Sequence, residues 1–160
     1  MQVAYSLLQV VAATIATLLV IAAGALWTGA SVRTAVHVRN LGFVAAAVFA
    51  VPALVMTLAV KLKSTRVPVV RMWPACRRYM VVVFVVFIMY MAAGILAYPH
   101  APIAERKGEF RDKMDQSYSP MQYERFKLWE SSFGLIGAAM LVSLLATLPG
   151  DLGKRPPMGS

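Results

Sequence analysis

Four long stretches of this chain contain no charged side chain, and they constrain its fold more than any other feature. They run over Leu7–Gly29, Leu41–Val60, Tyr79–Tyr98 and Ser131–Leu148. A helical apolar run of roughly 17–25 residues matches the thickness of the hydrocarbon core of a bilayer. A helix also satisfies its own backbone hydrogen bonds, which a segment in lipid must do. The pattern therefore predicts an all-α membrane protein, with four transmembrane helices in an antiparallel, up-and-down bundle.

The length of the chain leaves little room for anything besides these spans. With 160 residues, of which 59% are hydrophobic, we expect residues 1–160 to form a single four-span membrane domain. No Lys or Arg precedes the first apolar run, whereas a cleaved signal peptide normally begins with a positive region. We therefore expect the first span to be retained. The single cysteine, Cys76, excludes an internal disulfide.

The net charge of +9 does not indicate nucleic acid here, because the basic residues are scattered over the connectors between spans. In that position they are expected to meet lipid headgroups. Membrane lipids are thus a predicted partner, and nucleic acid is not. The predicted headgroup contacts are the basic residues of the second connector, which contains no acid: Lys61, Lys63, Arg66, Arg71, Arg77 and Arg78.

Small residues recur at helical spacing in three of the spans and predict the faces on which the helices pack. Such residues allow close approach of helix backbones, which matters in lipid because apolar side chains are already solvated there. The abundance of Gly and Ala in membrane helices is an equally simple explanation. The predicted packing positions are Ala25, Gly29, Gly42, Ala46, Ala50, Gly134 and Ala138.

The third connector, residues 99–130, is predicted to end in an amphipathic helix that begins near residue 120. Ser119, Pro120 and Gln122 have the pattern of a capping box with proline at the first helical position. A helix over Pro120–Leu148 would be about 43 Å long, which exceeds the bilayer core of about 30 Å. Two or three turns at its N-terminal end should therefore project from the membrane. The predicted partner contacts on this projection are Met121, Tyr123, Phe126 and Trp129.

The distribution of basic residues predicts the orientation. Four spans place both termini and the second connector on one side of the membrane. Because that connector has the densest positive charge without acids, we expect this side to be cytoplasmic, or the matrix side in a mitochondrion. The tail, residues 149–160, has no means of folding alone.

No residues within the spans point to catalysis, since none of them is ionised at neutral pH. His37 and His100 follow spans that run in the same direction, so they are expected on the same side of the membrane. This is the minimum requirement for a bis-histidine haem, and Tyr98, His100 and Arg106 are a possible quinone site. Both histidines, however, lie beyond the apolar runs, and interfacial polar residues are the simpler interpretation. We therefore do not predict a haem, a quinone or a metal as a cofactor.

The functional prediction is a non-catalytic accessory or structural subunit of a larger integral-membrane complex. Its predicted partners are other membrane subunits and lipids. The expected setting is an energy-converting membrane, respiratory or photosynthetic, in a bacterial or mitochondrial inner membrane. One alternative is a small oligomeric transporter or channel built around a kink at Pro52, which lies in the middle of the second span. Another is a haem- or quinone-binding protein that uses His37 and His100.

Overall fold

In the computed structural model, residues 2–62, 74–106 and 108–149 are described, and within them the chain is mostly helical. Helix α1 (Gln2–Ala25) continues into a short 3₁₀ turn, Leu26–Thr28, and is followed by α2 (Val32–Leu62), α3 (Pro74–Ala97) and α4 (Pro120–Leu145). All four helices are long and apolar enough to cross a membrane. The prediction of four apolar helices of membrane-spanning length is therefore confirmed.

The first connector is much shorter than the sequence suggests. Gly29 has a φ of 108° and ends the 3₁₀ turn in the left-handed region, which favours glycine. Ser31 then caps α2, because its hydroxyl accepts a hydrogen bond from the Thr34 backbone N–H at 3.2 Å. As a result α2 begins at Val32, and the polar residues before Leu41 belong to the helix.

Helix α4 begins where its capping box predicts. The Ser119 hydroxyl accepts from the backbone N–H of Gln122 at 3.3 Å, and the Gln122 side chain accepts from the Ser119 N–H at 2.8 Å. Pro120 occupies the first helical position. These contacts satisfy donors that a helix N-terminus otherwise leaves unpaired.

Helix α4 is the centre of the bundle, and the other three helices pack against it. Its inward face buries apolar residues along most of its length: Phe126, Leu135, Ile136, Ala138, Ala139 and Val142. Helix α3, by contrast, contacts mainly α4 and buries only Val83 and Gly94. Most of α3 therefore faces whatever surrounds the bundle.

Contacts between α4 and its neighbours define the directions of the helices. The Ser132 hydroxyl donates to the Ala23 carbonyl at 3.2 Å, near the carboxyl end of α1 and the amino end of the apolar part of α4. Phe87 of α3 stacks on Phe133 with 5.2 Å between ring centroids. Gly42 of α2 lies against Leu135. The helices thus alternate in direction along the chain, with α1 and α3 antiparallel to α4.

The third connector contains a small sheet that the sequence analysis did not predict. Strands β1 (Ala104–Arg106), β2 (Glu109–Arg111) and β3 (Ser117–Tyr118) form an antiparallel sheet in the order β1-β2-β3. In its register Glu105 pairs with Phe110, and Phe110 pairs with Tyr118. The chain is therefore a helical bundle, as predicted, with one small sheet added in the third connector. Strands of two or three residues are too short to show an alternating pattern in the sequence.

Candidate protein-interaction surface

The sheet and the first turns of α4 form one folded unit at an end of the bundle, and we call described residues 98–130 the cap. Its organising residue is Asp112, whose side chain is only 2% exposed. One carboxylate oxygen accepts from the backbone N–H groups of Met114 at 2.8 Å and Gln116 at 3.0 Å, and the other accepts from the Tyr118 hydroxyl at 2.9 Å. This Asx-type turn joins β2 to β3 and determines the shape of the loop between them.

The electrostatics of Asp112 follow from these contacts. Burial by itself raises the pKa of the carboxyl, but the hydrogen bonds from Gln116, Tyr118 and Met114 lower it, and so does the nearby His100. The net result is a pKa below the ordinary value for aspartate. Asp112 is therefore ionised at neutral pH and acts as a structural acceptor.

Aromatic stacking attaches the sheet to α4. The rings of Phe110 in β2 and Tyr123 in α4 are nearly parallel, with centroids 4.2 Å apart. Ile103, just before β1, is 2% exposed. The carbonyl of His100 accepts from the backbone N–H of Lys113 at 3.5 Å, which links the chain leaving α3 to the β2–β3 turn. The cap is consequently held both to α4 and to the end of α3.

A second aromatic cluster lies where α3 meets α4. Trp129 contacts three rings, with centroid distances of 5.4 Å to Phe133, 5.7 Å to Tyr98 and 6.0 Å to Phe126. Gly94 of α3 lies directly beneath the indole, and a Cβ atom there would overlap it. The absence of a side chain at Gly94 is thus what allows Trp129 to lie flat against α3.

Three of the four residues predicted to bind a partner make contacts within the chain itself, and their role toward a partner stays a prediction. Tyr123, Phe126 and Trp129 are occupied within the chain, and Phe126 is only 2% exposed. The apolar stripe of the projecting helix is covered by β2 and by the end of α3, because the third connector folds back on it. Of the four predicted contacts, Met121 alone remains exposed, at 64%.

The described part of the cap exposes a second large apolar side chain that the sequence analysis missed, Met114, which is 68% exposed in the β2–β3 turn. The same turn presents a charged group in which Arg111 bonds Glu109 at 2.7 Å and Asp115 at 2.9 Å. The sequence signal that could have revealed this turn is the pair of aspartates, Asp112 and Asp115, shortly before Tyr118, because aspartate side chains favour Asx turns. The outer surface of the cap therefore combines methionine with paired charges.

Three charged residues meet at the boundary between the cap and the apolar bundle. Glu130 accepts from the ammonium group of Lys127 at 2.8 Å and lies 4.0 Å from a guanidinium nitrogen of Arg39 on α2. Gly134 makes room for the aliphatic part of the Arg39 side chain. This group links α2 to α4 at a place where both helices leave the uncharged stretches.

The predicted packing positions are only partly packed. Gly42, Ala46 and Ala138 are buried, and Gly134 contacts Arg39. Ala50 is half-buried, and the buried stripe of α2 passes instead through Phe49 and Ala53. The stripe follows alternating steps of three and four residues, whereas the prediction used steps of four only.

The prediction is wrong for Ala25 and Gly29. Both are exposed, and no neighbouring atom lies within 4 Å of the position of a Cβ at Gly29. Helix α1 packs through its small residues Ala12, Ala16 and Ala23. The side of α1 that carries Ala25 faces away from α4, and Gly29 serves the turn to α2.

The remaining residues predicted to bind lipid headgroups or a cofactor lie apart from one another. Lys61, Arg77 and Arg78 are exposed at the end of the bundle opposite the cap. His37 lies on the exposed surface of α2 beside Arg33 and Asn40, whereas His100 lies in the loop after α3, so the contacts described for the two histidines do not join them. The candidates outside the described residues are Lys63, Arg66, Arg71, the side chain of Arg106 and the tail from residue 150 onward.

A comparison of the chain with protein-family models, with curated proteins and with solved structures finds no match. The functional interpretation therefore depends on the residues and contacts described above.

Proposed function

We propose that this protein is a non-catalytic accessory subunit of a larger integral-membrane complex, and that the cap binds a neighbouring subunit. Small multi-span subunits are common in energy-converting membranes, and we propose a respiratory or photosynthetic complex as the setting. The location would be a bacterial or mitochondrial inner membrane. Both termini would face the cytoplasm or the matrix, and the cap would face the opposite side.

The observation that carries this proposal is the pair of exposed methionines on a cap whose other apolar side chains make internal contacts. Met114 and Met121 are 68% and 64% exposed, while Phe126 is buried and Trp129 is half-buried against it. Methionine is flexible and polarizable, and it is frequent at binding surfaces that must adapt to a partner. Because the Asp112 turn and the ring stacking already order the cap, little conformational entropy would be lost on binding.

The charge of the cap supports a protein partner rather than a polyanion. Residues 99–130 carry six basic and six acidic side chains, so the region has no net charge. Several of these charges are paired within the cap, as in the group around Arg111. A surface of mixed, patterned charge favours recognition of a complementary protein surface and determines its orientation.

The alternative functions have no observation in their favour. Pro52 is on the exposed face of α2, so a channel built around it would have to form between copies of the chain. His37 is exposed among polar side chains of the first turns of α2, where no second helix covers it.

The proposal is tested by isolating the tagged chain from its native membrane in mild detergent and identifying the co-purifying proteins by mass spectrometry. A fixed set of membrane subunits is expected with the wild-type chain. The double variant Met114→Glu with Met121→Glu should lose that set while retaining its helical circular dichroism. The double variant Ala104→Glu with Ser117→Glu places the same two charges at other exposed positions of the cap and serves as the matched control. A wild-type chain that purifies alone, or a double variant that keeps every partner, would contradict the proposal.

A further inference from the structure

The methionines of the described residues differ in their access to water, and the two on the cap are the most accessible. Met114 and Met121 are 68% and 64% exposed. Met89 is also 68% exposed, but it lies in the uncharged, membrane-length stretch of α3. The other described methionines are half-buried within the helices: Met56, Met80, Met91 and Met140. An oxidant dissolved in water would therefore reach the two cap sulfurs first.

A thioether is chemically suited to a reversible oxidation. The sulfur lone pair attacks one oxygen of hydrogen peroxide, so that an S–O bond forms and the O–O bond breaks. The proton of the attacked oxygen passes to the departing hydroxide, which leaves as water. The sulfur is oxidised by two electrons and the peroxide is reduced by two. The product, methionine sulfoxide, is polar where the thioether is apolar.

The contacts that hold the cap together do not use either sulfur atom. Met114 enters the Asp112 turn through its backbone N–H, which donates to the carboxylate at 2.8 Å. Met121 lies in the first turn of α4 with its side chain exposed. The stacking of Phe110 on Tyr123 attaches the sheet to α4. Oxidation should therefore change the polarity of the surface and leave the shape of the cap intact.

We propose that Met114 and Met121 form a redox-sensitive site, at which oxidation to the sulfoxide prevents the cap from binding its partner. This inference rests on the proposed role of the cap in a complex. A sulfoxide in an apolar interface would bury a polar oxygen without a hydrogen bond, which is unfavourable. In the assembled complex the partner would cover both sulfurs, so the oxidation would act on the unassembled chain. Methionine sulfoxide reductases would restore binding, because they return the sulfoxide to the thioether.

The first measurement maps the oxidation by peptide mass spectrometry. The purified full-length chain in mild detergent is exposed briefly to hydrogen peroxide. Met114 and Met121 should be oxidised faster than Met89, because detergent covers the surface of α3 and the polar oxidant enters an apolar layer poorly. The same treatment of native membranes should leave both cap methionines reduced, since the partner covers them. Equal rates at Met89 and the cap residues, or no protection in the native membrane, would overturn the proposal.

The second measurement determines whether the oxidised chain still assembles. The tagged wild-type chain, untreated or oxidised, is added to detergent-solubilised membranes from cells that lack it, and the recovered subunits are quantified. Each sulfoxide should reduce the recovery of the partner set about tenfold, as expected for a polar group buried without a partner. The helical circular dichroism of the chain should not change. Treatment with the reductases should restore the recovery.

The matched control is the double variant Met114→Leu with Met121→Leu. Leucine is apolar and close to methionine in volume, so this variant should bind its partners equally well before and after peroxide. It retains Cys76 and every other methionine of the chain, including those outside the described residues. Damage at any of those positions would therefore appear in the control as well. Met89→Leu removes an exposed methionine from α3 and should remain as sensitive to peroxide as the wild type.

The outcomes distinguish this site from the proposed role of the cap. An untreated wild-type chain that recovers no partner would contradict the proposed role and, with it, the redox-sensitive site. Full recovery of the partners by the oxidised wild-type chain would contradict the redox-sensitive site alone. The same conclusion would follow if the leucine double variant lost its partners on oxidation, or if the reductases failed to restore binding to the wild type.

Discussion

Replacing Gly94 with alanine should destabilise the protein because the new methyl group would overlap the indole of Trp129. Overpacking of this kind costs about 1–3 kcal/mol. Displacing the indole would also weaken its stacking on Phe133, now at a centroid distance of 5.4 Å, and such ring pairs contribute about 0.5–1.5 kcal/mol. Alanine itself would recover about 0.4–1 kcal/mol by restricting the unfolded chain. The expected net loss in the free energy of unfolding is about 2 kcal/mol.

The assay is unfolding in mixed micelles of mild detergent and dodecyl sulfate, followed by far-ultraviolet circular dichroism. Gly24→Ala is the matched control, since it also lies in a membrane helix and no neighbouring atom is within 4 Å of a Cβ there. Trp129→Phe removes the part of the indole that the methyl group would meet. In that background Gly94→Ala should cost little, and the difference between the two backgrounds measures the coupling. Equal stability of Gly94→Ala and Gly24→Ala would refute the close packing of α3 on Trp129.

Three other predictions concern the cap and the packing of α2. The pKa of Asp112 is lower in the folded protein than in the unfolded chain. Its stabilising contribution is therefore complete above the unfolded pKa of about 4 and is lost as the pH falls through the folded pKa. Thermal unfolding measured from about pH 7 to about pH 3 should show this loss of stability in the wild type, and the Asp112→Asn variant should not show it. Ser119→Ala removes the acceptor for the Gln122 N–H and should cost about 1 kcal/mol in unfolding free energy, while Ser117→Ala, at an exposed strand position, should cost less. At Gly42 a Cβ atom would lie 2.5 and 3.0 Å from two leucine side chains, so Gly42→Val should destabilise the bundle by about 1–3 kcal/mol; a fully stable variant would contradict the buried position of this glycine.

The sequence predicted those features of the fold that depend on neighbouring residues along the chain. The four uncharged stretches predict four helices because hydropathy over a membrane-length window is a local property. The start of α4 was predictable for the same reason, since Ser119, Pro120 and Gln122 are within one turn of each other. Gly42 and Ala46 also lie on the buried face of α2, as the small-residue pattern indicates.

The sequence did not predict how the third connector folds. Its strands are two or three residues long, and their pairing depends on the turn at Asp112 and on the ring stacking of Phe110 with Tyr123. An amphipathic stripe indicates that one side of a helix is covered, but not what covers it. For this reason the sequence predicts Tyr123, Phe126 and Trp129 as partner contacts but does not predict their contacts with Phe110, Tyr98 and Gly94 within the chain.

The sequence by itself determined that this chain is a four-helix membrane protein whose charged residues lie at the ends of the helices. Only the tertiary structure decided that α4 is central and that α3 is the outer helix. The physical reason is that lipid solvates every apolar side chain about equally. Hydropathy therefore determines which segments enter the membrane, while steric fit, as between Gly94 and Trp129, determines which of them meet.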